Sequence, residues 1–104
     1  ARDPSALDAL MRLLGDPDTE LTVRIGISAV FEGMEGNPAL QRTVAALIAL
    51  SAHRDAHIRG DAAHLLSLTH DRAVQPHLQR LLVDAVADVR EIAREGLERL
   101  SAIG

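Results

Sequence analysis

The chain has 104 residues, 47% of them apolar, with one aromatic residue and a formal net charge of −4 at pH 7. This length suits a single domain, and the absence of cysteine excludes disulfides, thiolate metal sites and a cysteine nucleophile. Charges of both signs are scattered without a basic stripe, and no apolar run approaches the roughly 20 residues that cross a bilayer, so we expect neither a nucleic-acid nor a membrane partner. The chain begins Ala-Arg-Asp-Pro without an initiator Met, which suggests either a piece of a longer protein or a processed chain.

Apolar residues spaced three and four apart predict six amphipathic helices and no strands. The first helix is expected to have Asp3 as its N-cap and Pro4 at its first helical position, and the segment 15–18, Gly-Asp-Pro-Asp, should end it. The second helix is expected from about Thr19 to Glu32. The side chains that these two helices should bury are Leu7, Leu10, Met11, Leu14, Val23, Ile27, Val30 and Phe31.

The segment 33–38, Gly-Met-Glu-Gly-Asn-Pro, is the strongest break in the chain, with Asn37 a predicted N-cap. The third helix should then run from Pro38 to about Ala52. Later joints are expected at 53–56, 69–75 and 84–88. The expected core residues of these four helices are Leu40, Val44, Leu47, Ile48, Leu50, Ile58, Ala62, Leu65, Leu66, Leu78, Leu81, Leu82, Val89, Ile92, Ala93, Leu97 and Leu100.

An internal repeat relates the third and fourth helices to the fifth and sixth. A shift of 31 positions matches Leu47, Leu50, His53, Ile58, Arg59, Ala62 and Leu66 with Leu78, Leu81, Asp84, Val89, Arg90, Ala93 and Leu97. Six helices with short joints are therefore predicted to form three antiparallel pairs, stacked as a short α-solenoid with a right-handed superhelix. The repeats are expected at about 3–34, 37–69 and 73–103.

The stretch VQPHLQRLLVDAVADVREIAREGLERLSAIG resembles a HEAT-like repeat of the phycobilisome-lyase type. That pattern has Pro two positions before the first Leu, Asp after the Leu-Leu pair, Val-Arg at the head of the second helix, and then Ala and Leu. LIALSAHRDAHIRGDAAHLL resembles a weaker copy with His53 in place of the Asp, and LMRLLGDPDTELTVRIGISAVF a third with Ile27 in place of the Ala. The resemblance implies the same solenoid fold and a role in binding or scaffolding.

An arginine follows an apolar residue near the head of each second helix, in Val23-Arg24, Ile58-Arg59 and Val89-Arg90. In a stack of repeats the apolar residue should pack inward, while the arginine should lie along the groove between neighbouring pairs and reach a carboxylate of the preceding or the same joint. Such partly exposed ion pairs contribute only about 0 to 1 kcal/mol each to folding stability, so their main effect would be to set the register between neighbouring repeats. The predicted ladder comprises Arg24, Arg59 and Arg90 with Asp16, Asp55 and Asp84. The functional alternative is an anionic ligand, which would require the arginines to project into solvent.

His57, Asp61 and His64 stand at positions i, i+4 and i+7 of the fourth helix and share an arc of about 60°. This spacing suits metal ligands, although the helix offers no second ligand pair. The interpretation we favour is that Asp61 accepts hydrogen bonds from a histidine or an arginine of an adjacent repeat. We therefore expect no metal and no cofactor.

The expected function is noncatalytic, because no nucleophile elbow, glycine-rich phosphate loop or metalloprotease motif appears. Outward positions of the second helices form the default binding surface of an α-solenoid. In this chain they are Ile25, Ala29, Glu32, Gly60, Ala63, His64, Ser67, Glu91, Arg94, Glu95 and Glu98. We expect a shallow groove for a peptide or partner helix whose basic part meets Glu91, Glu95 and Glu98. The alternative is that this charged third row only solubilises a terminal repeat.

A neighbouring domain of the same chain is the other possible partner. Ile25 and Met34 lie off the main apolar stripes and are candidates for that contact. The domain would then be an accessory part of an enzyme, of redox, transferase or chromophore-lyase type. The last activity is implied by the resemblance alone, and no catalytic residue carries over. As an isolated domain the chain is expected to be a monomer.

Overall fold

The computed structural model describes residues 4–103 and is all-α within that range, with no strand. Six α-helices are present among the described residues, as the apolar spacing predicts. They are α1 (Pro4–Leu14), α2 (Leu21–Gly33), α3 (Val44–Leu50), α4 (Ala56–Leu68), α5 (Gln75–Leu81) and α6 (Ala87–Ser101). Asp3, the expected N-cap of the first helix, lies outside the described residues.

Short 3-10 helices lead into α3 and α5. The first covers Pro38–Thr43 and the second Arg72–Val74. The sequence predicts one α-helix from Pro38, but its first six residues are in the tighter 3-10 form that is common at helix N-termini. Asn37 caps this segment as predicted, because its side chain accepts a hydrogen bond from the backbone N–H of Ala39 at 2.9 Å.

α4 is the central helix of the fold. It contacts α2, α3, α5 and α6, and its packing against α6 is the most extensive in the structure. All four of its predicted core residues are fully buried. They are Ile58, Ala62, Leu65 and Leu66. The described molecule measures 37 × 36 × 20 Å, so its thickness matches two helices of roughly 10 Å each.

Three predicted core residues are exposed instead. Val23 and Val30 of α2 are 40% and 46% exposed, and Leu82 after α5 is 40% exposed. Val23 and Val30 lie about a quarter turn around α2 from its buried side, so they stand at the edge of that side. Arg24, the neighbour of Val23, is buried in its place.

No helix among the described residues has both the length and the apolar character needed to cross a membrane. Met34, a candidate for contact with a neighbouring domain, is only half-exposed because it packs against the hydrophobic core.

Candidate functional site

Arg24 is the most enclosed of the predicted ladder arginines, with 8% of its side chain exposed. Its Nη1 donates to Oδ2 of Asp61 in α4 at 2.9 Å, which confirms the prediction that Asp61 accepts a hydrogen bond from an arginine of the adjacent predicted repeat. Its Nη2 donates to the main-chain oxygen of Asp16 at 2.6 Å. The carboxylate that pairs with Arg24 therefore comes from α4, and Asp16 supplies only its carbonyl.

Arg59 and Asp84 form a two-point ion pair between the head of α4 and the joint before α6. Nε of Arg59 donates to Oδ2 at 2.8 Å and Nη2 donates to Oδ1 at 2.9 Å. The two side chains are 15% and 8% exposed. Hydrogen bonding from Arg59 lowers the pKa of Asp84 below its ordinary 3.8, although burial acts in the opposite direction. The same hydrogen bond raises the pKa of Arg59.

Asp16, His53 and Asp84 share one structural role in three joints. Each side chain accepts the backbone N–H two positions later at 2.9 Å, through Oδ1 in the aspartates and Nδ1 in the histidine. Each main-chain oxygen also accepts a guanidinium N–H from the arginine in the first turn of the next helix, at 2.6, 3.0 and 2.6 Å. Those arginines are Arg24, Arg59 and Arg90.

Asp55 is not a partner of the arginines, in contrast to the predicted ladder. Its backbone is extended at the N-cap of α4, which points the carboxylate at the helix's own N–H groups of His57 and Ile58, 2.8 and 3.4 Å away. Burial raises the pKa of Asp55, but the hydrogen bonds from these two N–H groups, together with the electrostatic attraction of His57 and Arg24, bring the pKa below its ordinary value.

The three candidate metal ligands of α4 do not converge. Asp61 is paired with Arg24, and Nε2 of His64 lies 2.9 Å from Oε2 of Glu32 in α2. Residues 4–103 contain no group of three or more histidine, aspartate or glutamate side chains placed to hold a metal ion. His57, Asp61 and His64 therefore lie on one arc of α4 but are not placed to bind a common metal ion.

The expected binding row on α4 is largely covered by α6. Gly60, Ala63 and Ser67 are buried. The helices approach closely because small residues face each other: a Cβ on Gly60 would lie 3.1 Å from Ile92, and a Cβ on Gly96 would lie 3.1 Å from Ser67. These three predicted binding residues serve helix packing, and α4 reaches the open face through Asp61 and half-exposed His64.

Two open grooves lie side by side along α4. The groove between α2 and α4 has a volume of about 310 Å³ and is lined by Leu21, Arg24, Ile25, Ser28, Ala29, Glu32, Asp61 and His64. The groove between α4 and α6 has a volume of about 340 Å³ and is lined by Gly60, Asp61, His64, Ile92, Glu95 and Arg99. Because Asp61 and His64 line both grooves, the surface is continuous from α2 to α6.

The predicted third row on α6 is exposed, but its charges are partly paired with each other. Arg94 forms ion pairs with Glu91 and Glu98 along the helix. Hydrogen bonding from Arg94 lowers the pKa of Glu91, and the same contact raises the pKa of Arg94. Glu95 makes no side-chain hydrogen bond or ion pair within the part of the chain that the structure describes, and it lies on the wall of a groove.

No protein-family model and no curated protein matches this sequence.

Leu21, Asp61 and Arg99 also lie on this face, although the predicted binding row does not contain them. Leu21 opens α2 and belongs to neither the predicted core nor the predicted binding row. Arg99 lies one helical turn after Glu95, and its Nη1 donates to Oγ of Ser67 at 2.8 Å, so it bridges α4 and α6 at the groove. The spacing of polar residues on α6 could have identified Arg99, but only the position of α4 shows which side of α6 is open.

Proposed function

We propose that this domain is a noncatalytic protein-binding module that holds a segment of a partner across the face formed by α2, α4 and α6. The observation that carries the proposal is the exposure of Leu21 and Ile25, 69% and 59%, on the wall of the groove between α2 and α4. Large aliphatic side chains in water at the rim of a groove favour association, because a partner that covers them removes apolar surface from water.

We propose further that the helices form a right-handed α-solenoid of three antiparallel pairs, of the HEAT-like type that the sequence resembles. Three joints with the same hydrogen-bond pattern support it, as does the contact of α4 with both α2 and α6. The 20 Å thickness suits two layers of helices. In such a stack the second helices line one face, which is the usual binding surface.

The partner segment should be apolar at one end and basic at the other. The α2 end of the face presents Leu21, Ile25 and Ala29, whereas the α6 end presents Glu95 and the acidic first turn at Asp88. Two helix spacings of roughly 10 Å separate these ends, a span of about six residues of extended chain. Electrostatic complementarity at Glu95 would fix the direction in which the segment lies.

Affinity capture with four baits tests the proposed face: the unchanged domain, Ile25→Arg, Glu95→Arg, and Ala45→Arg as a control on exposed Ala45 of α3. We expect one protein to be retained by the unchanged domain and by the control, to be lost with Ile25→Arg and to be reduced with Glu95→Arg. Titration of that purified protein against all four domains should reproduce the order. Equal binding by all four would reject the face.

The alternative is an accessory domain that packs against an enzyme domain of the same chain, of redox, transferase or chromophore-lyase type. It is favoured by aliphatic side chains that are exposed away from the face, including Leu13 at 44% and Val83 at 84%. Hydrogen exchange in the full-length parent protein distinguishes the two proposals. Protection of these residues in the parent but not in the isolated domain, without any added partner, would favour the accessory role.

A further inference from the structure

Two of the three arginines in the joint pattern pair with a carboxylate of the helix pair that follows them. Arg24 bonds Asp61 at 2.9 Å, and Arg59 bonds Asp84 at 2.8 Å. Each guanidinium also bonds a main-chain oxygen of its own joint. The arrangement therefore has a direction, in which each helix pair offers an arginine to the next pair and a carboxylate to the previous one.

Arg90 is the arginine at the far end of this series. It keeps the bond to the main-chain oxygen of its joint, Asp84, at 2.6 Å. Its side chain is exposed, and no carboxylate lies within 4.0 Å of it in residues 4–103. The corresponding carboxylates are Asp61, within α4, for Arg24 and Asp84, in the joint before α6, for Arg59.

Asp16 is the counterpart of Asp84 at the near end. Both side chains accept the backbone N–H two positions later, and both main-chain oxygens accept an arginine N–H. Asp84 is paired with Arg59, whereas Asp16 is exposed and makes no ion pair among the described residues. One end of the molecule thus carries a guanidinium without a carboxylate, and the other end carries the complementary carboxylate.

Exposed aliphatic side chains accompany both positions. The joint before Arg90 exposes Leu82, Val83 and Val86 by 40%, 84% and 37%. At the other end Val23 is 40% exposed, while its repeat counterparts Ile58 and Val89 are 0% and 1% exposed.

We propose that this protein self-associates head to tail, with Arg90 of one copy paired with Asp16 of the next as Arg59 is paired with Asp84 within the chain. The aliphatic side chains at the two ends are covered in the same contact. This contact lies at the two ends of the series of helices. It does not depend on the face formed by α2, α4 and α6. It is heterologous, so copies add without closure and the assembly lengthens as the protein concentration rises.

Sedimentation velocity over a concentration series, up to about 1 mM, measures the association directly. The variants are Arg90→Glu, Asp16→Arg, the double variant with both changes, and Arg54→Glu as a control on an exposed arginine of the middle joint. We expect each single reversal to weaken association at least about tenfold, and the double variant to regain it because the ion pair is rebuilt with opposite sign. Arg54→Glu should leave it unchanged.

Circular dichroism of each variant separates loss of association from loss of the fold. If Asp16→Arg does not fold, Asp16→Asn replaces it, because the amide oxygen can still accept the N–H of Asp18 while the charge is removed. A monomer at every concentration, which is the state expected from the sequence, would overturn the proposal. Association that Arg90→Glu leaves intact, or that a folded double variant does not regain, would also overturn it.

Discussion

Arg59 and Asp84 illustrate how single side chains join segments that are distant in the sequence. Their two parallel hydrogen bonds connect the first turn of α4 to the joint before α6, and both side chains are largely shielded from water. A charge left alone in such a place is costly, because it has lost solvent and gains no partner. The pair should therefore matter more for stability than exposed ion pairs such as Arg94 with Glu91.

Replacing Asp84 by Asn should destabilise the protein by about 2 to 3 kcal/mol at pH 7, somewhat below the range for a fully buried pair. The pKa of Asp84 is lower in the folded state than its ordinary 3.8, so its stabilising contribution is complete above pH 3.8 and is lost as the pH falls through the lower folded value. Urea unfolding at pH 7 and at steps below pH 5 measures both effects.

The unchanged protein should therefore lose more unfolding free energy on acidification than Asp84→Asn does. Asp18→Asn is the matched control, since Asp18 is exposed and its carboxylate makes no ion pair within the described chain. A pH profile of Asp84→Asn parallel to that of the unchanged protein would contradict the assignment.

The partners of the arginines could be predicted only in part. The repeat identified Arg59 and Asp84 as members of one set, but the pairing joins residues 25 positions apart, and sequence spacing within one joint does not reveal it. Asp55 was expected to be an ion-pair partner because it precedes the helix, yet the N-cap position directs its carboxylate to the backbone. Backbone conformation decides whether an acidic residue serves as an ion-pair partner or as a helix N-cap. The spacing of apolar residues does not predict that conformation.

At the scale of elements, the contact between α4 and α6 depends on residues with little or no side chain. A Cβ at Gly96 would lie 3.1 Å from Ser67 Cβ and 3.4 Å from Leu78 Cδ1. The sequence pattern assigned Gly60, Ala63 and Ser67 to an open face, because small residues suit both a binding groove and a close helix contact. The packing of α6 on this side of α4 shows that these residues serve the helix contact.

Gly96→Ala should destabilise the protein by about 1 to 2 kcal/mol, since overpacking the contact with Ser67 outweighs the gain in helix propensity. Gly26→Ala is the matched control in α2, where a Cβ would meet nothing within 4 Å. It should stabilise the protein by about 0.5 to 1 kcal/mol. Thermal unfolding of the two variants measures the difference, and equal effects at both glycines would show that α4 and α6 are not closely packed.

Helix number was predictable from the sequence, whereas the exposed flank of α2 was not. Val23 and Val30 satisfy the apolar spacing of a buried stripe, but a stripe is buried only where another element covers it. α2 packs mainly on α1 and α4, and this leaves the far flank open. The apolar spacing predicts which side of a helix is suited to burial. It does not show whether another element packs on that side.

At the scale of the whole molecule, α4 connects the other elements because it contacts helices on both sides of it. We expect a single cooperative unfolding transition, since loss of α4 removes the partner of α2, α3, α5 and α6 together. Native-state hydrogen exchange should show the strongest protection in α4 and the weakest in α1, whose main contacts are with α2 and the segment Pro38–Thr43. Faster exchange in α4 than in α1 would contradict this central role.

The thickness of about two helices has an evolutionary consequence. In a layer of this depth the outer helices α2 and α6 keep one side in the core and another in water, and a change on the solvent side need not disturb the packing. Exposed positions such as Ile25 and Glu95 are free to vary while Leu65 and Leu66 hold the helices together. Such a scaffold can exchange one partner for another by inheriting a few surface substitutions, with the fold passed on unchanged.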